Sequence, residues 1–304
     1  MHTFYSHGKL LLTAEYVVLD GAVALALPTK FGQLLTVEPI KQQKMFWQSI
    51  DSNGAVWFED EFSLSNGKIA TSYTSGNAVS QRLVQILNAA SILNKAFLNS
   101  STGYKITATL EFPNHWGLGS SSTLLNAIAQ WANIDAFKLS NATFGGSGYD
   151  IACAQNNSAI LYQLIDSKAT VTRVTFKKAF QDQLFFVHLN RKQNSRESIK
   201  TYQDHKRNKE VFITKINSIT SKIMNSKTIK TFNTLIHEHE QLIGNITNQT
   251  PIKKRLFADF KNEIKSLGGW NGDFVLATGE EEYVYSYFKT KGYNTILNYK
   301  DMIL

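Results

Sequence analysis

Cysteine is nearly missing from this chain: Cys153 stands alone in 304 residues. No intramolecular disulfide can form, and a cysteine-built metal cluster is excluded. No apolar run approaches the ~18 residues that a membrane-spanning helix requires. The opening MHTFYSHGKLLLTAEY lacks the charged region, apolar core and small-residue cleavage site of a secretory leader. A cytoplasmic protein without a membrane partner is expected. Acidic residues are in the minority, 24 against 32 Lys and Arg, for a formal charge of +8. That balance favours anionic partners such as a nucleotide or a phosphorylated metabolite. Nucleic acid is not expected, because the basic excess at 192–230 and 251–265 reads as solvated helix faces and no recognised binding module accompanies it. Tandem repeats and low-complexity tracts are also missing. With 43% hydrophobic and 18% charged residues, the chain is expected to be globular, as one large domain or two modest ones.

The strongest local signal lies at 104–131. Ile106, Ala108, Leu110 and Phe112 alternate with Thr107, Thr109 and Glu111, the period of a half-buried strand. Leu124, Leu125, Ile128, Trp131 and Ala132 recur at helical spacing. PNHWGLGSSS joins the two. Gly117 and Gly119 permit close backbone approach, and Ser120 or Ser121 is placed to cap the helix. A glycine-rich loop entering a helix turns N–H groups and the positive end of the dipole toward an anion, which suits phosphate. No GK[ST] closes the loop, so it is not the Walker pattern. An ordinary strand–turn–helix joint with a serine cap has the same spacing.

Lys9 and Glu15 stand within strongly apolar surroundings, where a charge is costly unless it has a partner. A structural salt bridge accounts for both. A lysine beside an anionic ligand accounts for Lys9 equally well. Residues 44–73 read as a β-meander with turns at Asn53-Gly54 and Asn66-Gly67, and 75–98 as an amphipathic helix. FGGSGYD is a second glycine-rich turn, carrying Asp150 toward a strand at 159–164. The C-terminal half opens with the buried strand LFFVHL and the polar RKQNSRES. Three long helical patterns follow: from Ile199 and Tyr202 through Ile223, from Ile229 to Ile243, and from Ile252 to Leu267. GGWNGDFVLATG is a turn and strand, then come a helix around Tyr283–Phe288 and the strand YNTILNY. This ending predicts an α+β layer.

GKLLLTAEYVVLDG, GLGSSS opening a helix, and a late glycine-rich turn before a strand, in this order, resemble the GHMP kinases. That superfamily includes galactokinase, homoserine kinase, mevalonate kinase and phosphomevalonate kinase. SGYDIA at 147–152 adds a fourth match, and NGD at 271–273 is similar to the GGD of phosphomevalonate kinases. The resemblance spans the chain. It implies an α+β, two-layer GHMP-kinase-like fold: an N-terminal α/β domain at 1–182 carrying the phosphate loop, and a ferredoxin-like α+β domain at 183–304.

The function it implies is ATP- and Mg²⁺-dependent phosphorylation of a small molecule, with mevalonate or phosphomevalonate as the expected acceptor, in a monomer or homodimer. Homoserine or a sugar is the alternative acceptor. A diphosphomevalonate-decarboxylase-like enzyme is disfavoured by Lys9, which those enzymes usually lack, and an idle GHMP-fold binding protein is the reading from another class. By position, Gly117, Leu118, Gly119, Ser120, Ser121 and Ser122 match the ATP phosphate loop, with Ser121 at the hydroxyl that ligates Mg²⁺. Lys9 matches the lysine near the transferring group, and Asp150 the base toward the acceptor hydroxyl. Glu15 falls beside the acceptor pocket. Lys192, Ser195 and Arg196 follow a strand where an acceptor phosphate is contacted. Departures are His7 for Pro, Ala14 for Gly, Tyr16 for His, and Trp270 and Asn271 for Gly and Ala. Asp135 stands too early to take the place of the Mg²⁺-binding Glu.

Overall fold

The computed structural model describes residues 1–71, 77–99, 101–191, 199, 202–203, 209–270 and 272–304. These gather into two compact units, each built from separate stretches of chain. The first comprises Met1–Gly8, Phe31–Asn114 and Leu118–Gln155, and the second Lys9–Lys30, His115–Gly117 and Asn156–Leu304. Strands β1 (His2–Leu11) and β2 (Ala24–Ile40) pair with each other and contribute residues to both units.

In the first unit the meander forms as the turn chemistry requires: β3 (Lys44–Ile50), β4 (Val56–Ser65) and β5 (Lys68–Thr71). Asn66 and Gly67 both take positive φ, 50° and 72°, which suits a two-residue hairpin turn. Helix α1 (Ala78–Leu93) follows, shorter than the 75–98 expected. The Asn77 side chain accepts from the Val79 N–H and starts it one turn late; residues 75 and 76 lie outside those described. Strand β6 (Gly103–Leu110) completes the sheet order β5-β4-β3-β6-β2, in which only β3 and β6 run parallel. Helices α2 (Ser120–Ala132), α3 (Ala136–Thr143) and α4 (Tyr149–Ala154) pack together and with α1 over the buried side chains Trp47, Phe62, Leu87, Ile106, Leu125 and Ile128.

The second unit continues with β7 (Ile160–Ile165) and β8 (Lys168–Arg173). Strand β7 pairs with Ala24–Ala26 of β2 and with β8. Strand β8 is not expected from the sequence: its short alternation, Ala169 and Val171 between polar residues, buries neither face. Then come β9 (Leu184–His188), α5 (Lys209–Asn225), α6 (Ile229–Thr247), α7 (Ile252–Leu256), β10 (Ile264–Ser266), β11 (Phe274–Thr278), α8 (Glu281–Thr290), β12 (Ile296–Asn298) and α9 (Tyr299–Met302). The sheet order β10-β11-β9-β12 is antiparallel throughout. Every residue of β9 and β11 is buried.

The long helix expected to end at Leu267 is instead a five-residue helix, a turn and a strand. Phe257 leaves helical geometry at φ −136°, and its ring joins Phe260, Tyr287 and Phe288 in an aromatic cluster. Ile264 then enters the sheet beside Ala277. The four-residue apolar spacing thus arises from two different elements. Among the described residues, no helix is long and apolar enough to cross a membrane.

Candidate active site

The phosphate-loop sequence adopts the backbone that its glycines allow. Gly117 and Gly119 have φ of 68° and 90°. In the first unit, α2 begins at Ser120 with Gly119 as N-cap, and no side chain caps it. The expected serine cap is therefore corrected. Ser120 Oγ donates to Asn114 Oδ1 at 3.0 Å, Ser122 Oγ donates to the Gly119 carbonyl at 2.8 Å, and Ser121 is exposed. Left-handed Gly119 starts the helix without a side-chain acceptor, so the first-turn N–H groups carry the dipole's positive end toward the loop. Buried side-chain bonds steady the helix behind it: Thr123 Oγ1 to Gln33 Oε1 at 2.6 Å and Asn126 Nδ2 to Ser6 Oγ at 2.9 Å.

Asp150 sits in the first turn of α4, half-buried, after Gly148 at φ 82°. Among the described residues, its Oδ1 accepts a neighbour-range bond, from the Ile151 N–H at 3.0 Å. Asp135 is the N-cap of α3 and accepts from the N–H of Phe137 at 2.7 Å and of Lys138 at 3.4 Å. Capping accounts for that carboxylate.

The second unit holds Lys9 and the loop entrance. Lys9 Nζ donates to the Gly117 carbonyl at 2.9 Å. A Cβ on Gly117 would lie against the Asp273 carboxylate, with Oδ1 at 2.6 Å. Asp273 is buried, has φ 54°, and donates its N–H to the Arg191 carbonyl at 2.7 Å. Before Gly117, the Trp116 ring meets Phe274 edge-on at 5.4 Å. His188 Nδ1 accepts from the Asn190 N–H at 3.2 Å, so Nε2 carries the proton and faces the His115 carbonyl at 3.3 Å. Burial lowers its pKa from the ordinary value, which favours this neutral form.

Glu15 lies at the centre of a buried ionic group, fully excluded from solvent. Lys265 Nζ donates to Glu15 Oε1, and Glu240 Oε1 lies 3.8 Å from the same ammonium. His239 Nε2 accepts from the Ala14 N–H at 2.9 Å, and Ser266 Oγ donates to Glu240 Oε2 at 3.0 Å. Burial raises the pKa of Glu15 and pushes Glu240 up to about 8, with the Lys265 charge opposing both. Burial likewise holds His239 well below its usual value, so it is neutral. Lys192, Ser195 and Arg196 lie outside the described residues, as does Asn271.

Sequence reasoning overlooked Lys265, His239, Glu240, His188 and Asp273's contact with Gly117. One signal was available: His239 continues the apolar stripe Phe232, Ile236, Ile243 of α6, where a polar residue needs a buried partner.

No protein-family model matches the chain, and no curated protein sequence matches it. Solved structures do. A mevalonate kinase is 17% identical with a TM-score of 0.68, covering 98% of both chains. Streptococcus pneumoniae phosphomevalonate kinase, in complex with phosphomevalonate and AMPPNP, is 15% identical with a TM-score of 0.72 over 98% of this chain and 99% of its own. Lactococcus lactis galactokinase, complexed with galactose, is 14% identical with a TM-score of 0.70 over 97% and 92%. All are GHMP kinases, and this chain has their fold.

Proposed function

We propose that the chain is a GHMP-type kinase transferring the γ-phosphoryl group of ATP to a small anionic metabolite, mevalonate or phosphomevalonate. The observation that carries this reading is Lys9, whose ammonium is held on the carbonyl of Gly117, two residues before the glycine that starts an uncapped helix. A cation fixed at the entrance of a phosphate-type loop supplies the charge neutralisation that phosphoryl transfer asks of a protein. The neighbour solved with phosphomevalonate and AMPPNP supports the choice of acceptor and nucleotide. The neighbour solved with galactose favours a sugar as the second reading.

In this reading the loop N–H groups bind the phosphates and Lys9 neutralises charge on the transferring group. Asp150 orients the acceptor. As the acceptor oxygen bonds to the γ-phosphorus and the bond to ADP breaks, the proton of an acceptor hydroxyl passes to the Asp150 carboxylate. Ser121 fits a Mg²⁺ ligand, because its exposed hydroxyl is not consumed by capping. Mg²⁺ held there would draw charge from the phosphate oxygens. Lys192, Ser195 and Arg196 are assigned to the acceptor phosphate. A coupled ADP-release screen over mevalonate, phosphomevalonate, homoserine and galactose tests the proposal. Turnover with either mevalonate compound is expected; turnover with galactose alone moves the assignment to a sugar kinase, and none with any acceptor overturns it.

A further inference from the structure

The Ala14-Glu15-Tyr16 turn is strained and heavily braced. Ala14 and Tyr16 both hold positive φ, 69° and 64°, a conformation that costs a non-glycine residue about 1–2 kcal/mol each. Three bonds keep them there. His239 takes the Ala14 N–H, Lys265 takes the Glu15 carboxylate, and the Tyr16 hydroxyl donates to the Gly269 carbonyl at 2.8 Å. The Tyr16 ring also stacks on Tyr202 at 5.7 Å. A buried ion pair is a poor way to gain stability, since an apolar pair of equal volume does as well. Its value lies in fixing one geometry.

That geometry leads to the phosphate loop by two routes within the second unit. Along the chain, Thr13 and Leu12 connect the turn to β1 and Lys9, with both their N–H groups on the Leu25 carbonyl. Through space, Tyr16 holds Gly269 in the turn between β10 and β11, whose Trp270 and Asp273 also take positive φ, 49° and 54°. Asp273 closes the route on the Cα of Gly117, the residue whose carbonyl binds Lys9.

We infer that Glu15 serves the site as a positioning residue clamped by Lys265, and is not a ligand of the acceptor. The assignment rests on the kinase reading above and replaces the acceptor contact that the resemblance implies for Glu15. Lys265 is a positioning residue with it: the pair sets the 14–16 turn, and the turn sets Lys9 and Gly117 from both sides.

The test compares Glu15→Gln, Lys265→Met and the double variant in full-length protein. Lys265→Met leaves a buried carboxylate unpaired and is the variant at risk of misfolding. The uncharged double variant is expected to melt near wild type. Positioning predicts that Glu15→Gln and the double variant lose at least about 10-fold in kcat, with the KM for the acceptor changed by less than about 2-fold. A double variant with wild-type kcat makes the pair merely structural and overturns the inference. So does Glu15→Gln with a raised acceptor KM and unchanged kcat, which would make Glu15 an acceptor ligand. Amide ¹⁵N shifts of Gly117 in ligand-free protein give a readout independent of turnover. They should move in the double variant; unmoved shifts overturn the coupling even if wild type proves inactive, whereas an inactive wild type with moved shifts removes only the kinase reading.

Discussion

At the residue scale, two carboxylates with opposite surroundings make separate predictions. Asp150 is half-buried in the first turn of a short helix and, among the described residues, accepts its neighbour's N–H. Asparagine would fill that turn equally well. If the carboxylate accepts the acceptor proton, Asp150→Asn should lower kcat by about 10²–10⁴ and leave nucleotide affinity near wild type. Steady-state kinetics with nucleotide titration checks this. Glu240 is deeply buried against Lys265, Glu15 and Ser266, with neutral His239 beside it in sequence. Its pKa is about 8 folded against 4.5 unfolded. Between those values the folded chain keeps a proton that the unfolded chain has released, so stability falls as pH rises through the window. Glu240→Gln removes that dependence. Its melting temperature relative to wild type should climb across the window and level off above it, as calorimetry at several pH values would show. His239 works on the acid side: held neutral when folded, it costs stability as pH drops below its ordinary value of 6.5.

At the element scale, legibility followed what each element exposes. The meander was readable because Asn-Gly pairs and aromatic strands announce themselves. The strand, loop and helix around GLGSSS were readable because a two-residue period gives way to helical spacing across the glycines. Strand β8 was not, since its residues meet solvent on both faces. The 252–267 run misled because Phe257 and Phe260 pack as aromatics of a turn, yet fall at helical spacing. The cap was misread for a related reason. A serine at the first helical position looks like a cap until Gly119 takes that role with left-handed φ. Lys265 escaped notice because its partner, Glu15, is remote in sequence. The Gly117–Asp273 contact yields a prediction at this scale. Gly117→Ala must accept positive φ and also place its Cβ against a carboxylate. The φ cost alone is about 1–2 kcal/mol. Urea unfolding should show a larger loss than that, and Asp273→Gly should bring it back to about the φ cost. An equal loss in both backgrounds would mean that the carboxylate does not press on this position.

For the whole molecule, the second unit is discontinuous. It takes Lys9–Lys30 and His115–Gly117 from the first half of the chain and everything from Asn156 onward. A fragment spanning 183–304 would keep the four-stranded sheet but lose Glu15, Ala14 and Tyr16. Lys265 would then lose its Glu15 partner, and His239 the Ala14 N–H, in a buried interior. Such a fragment should fail to give the dispersed amide spectrum of a folded protein, and adding residues 9–30 as a fused segment should improve dispersion. The same arrangement also sets a schedule for biosynthesis. Glu15 is made 250 residues before Lys265. At ribosomal speeds of about 5–20 residues per second, that separation is roughly 12–50 s. Through that interval the Leu10–Leu12 run, buried in the finished protein, has left the ribosome before β10 and β11 exist to complete its unit. For most of its synthesis the nascent chain therefore waits for the elements that complete this unit, and incomplete units of this kind are what chaperones act on.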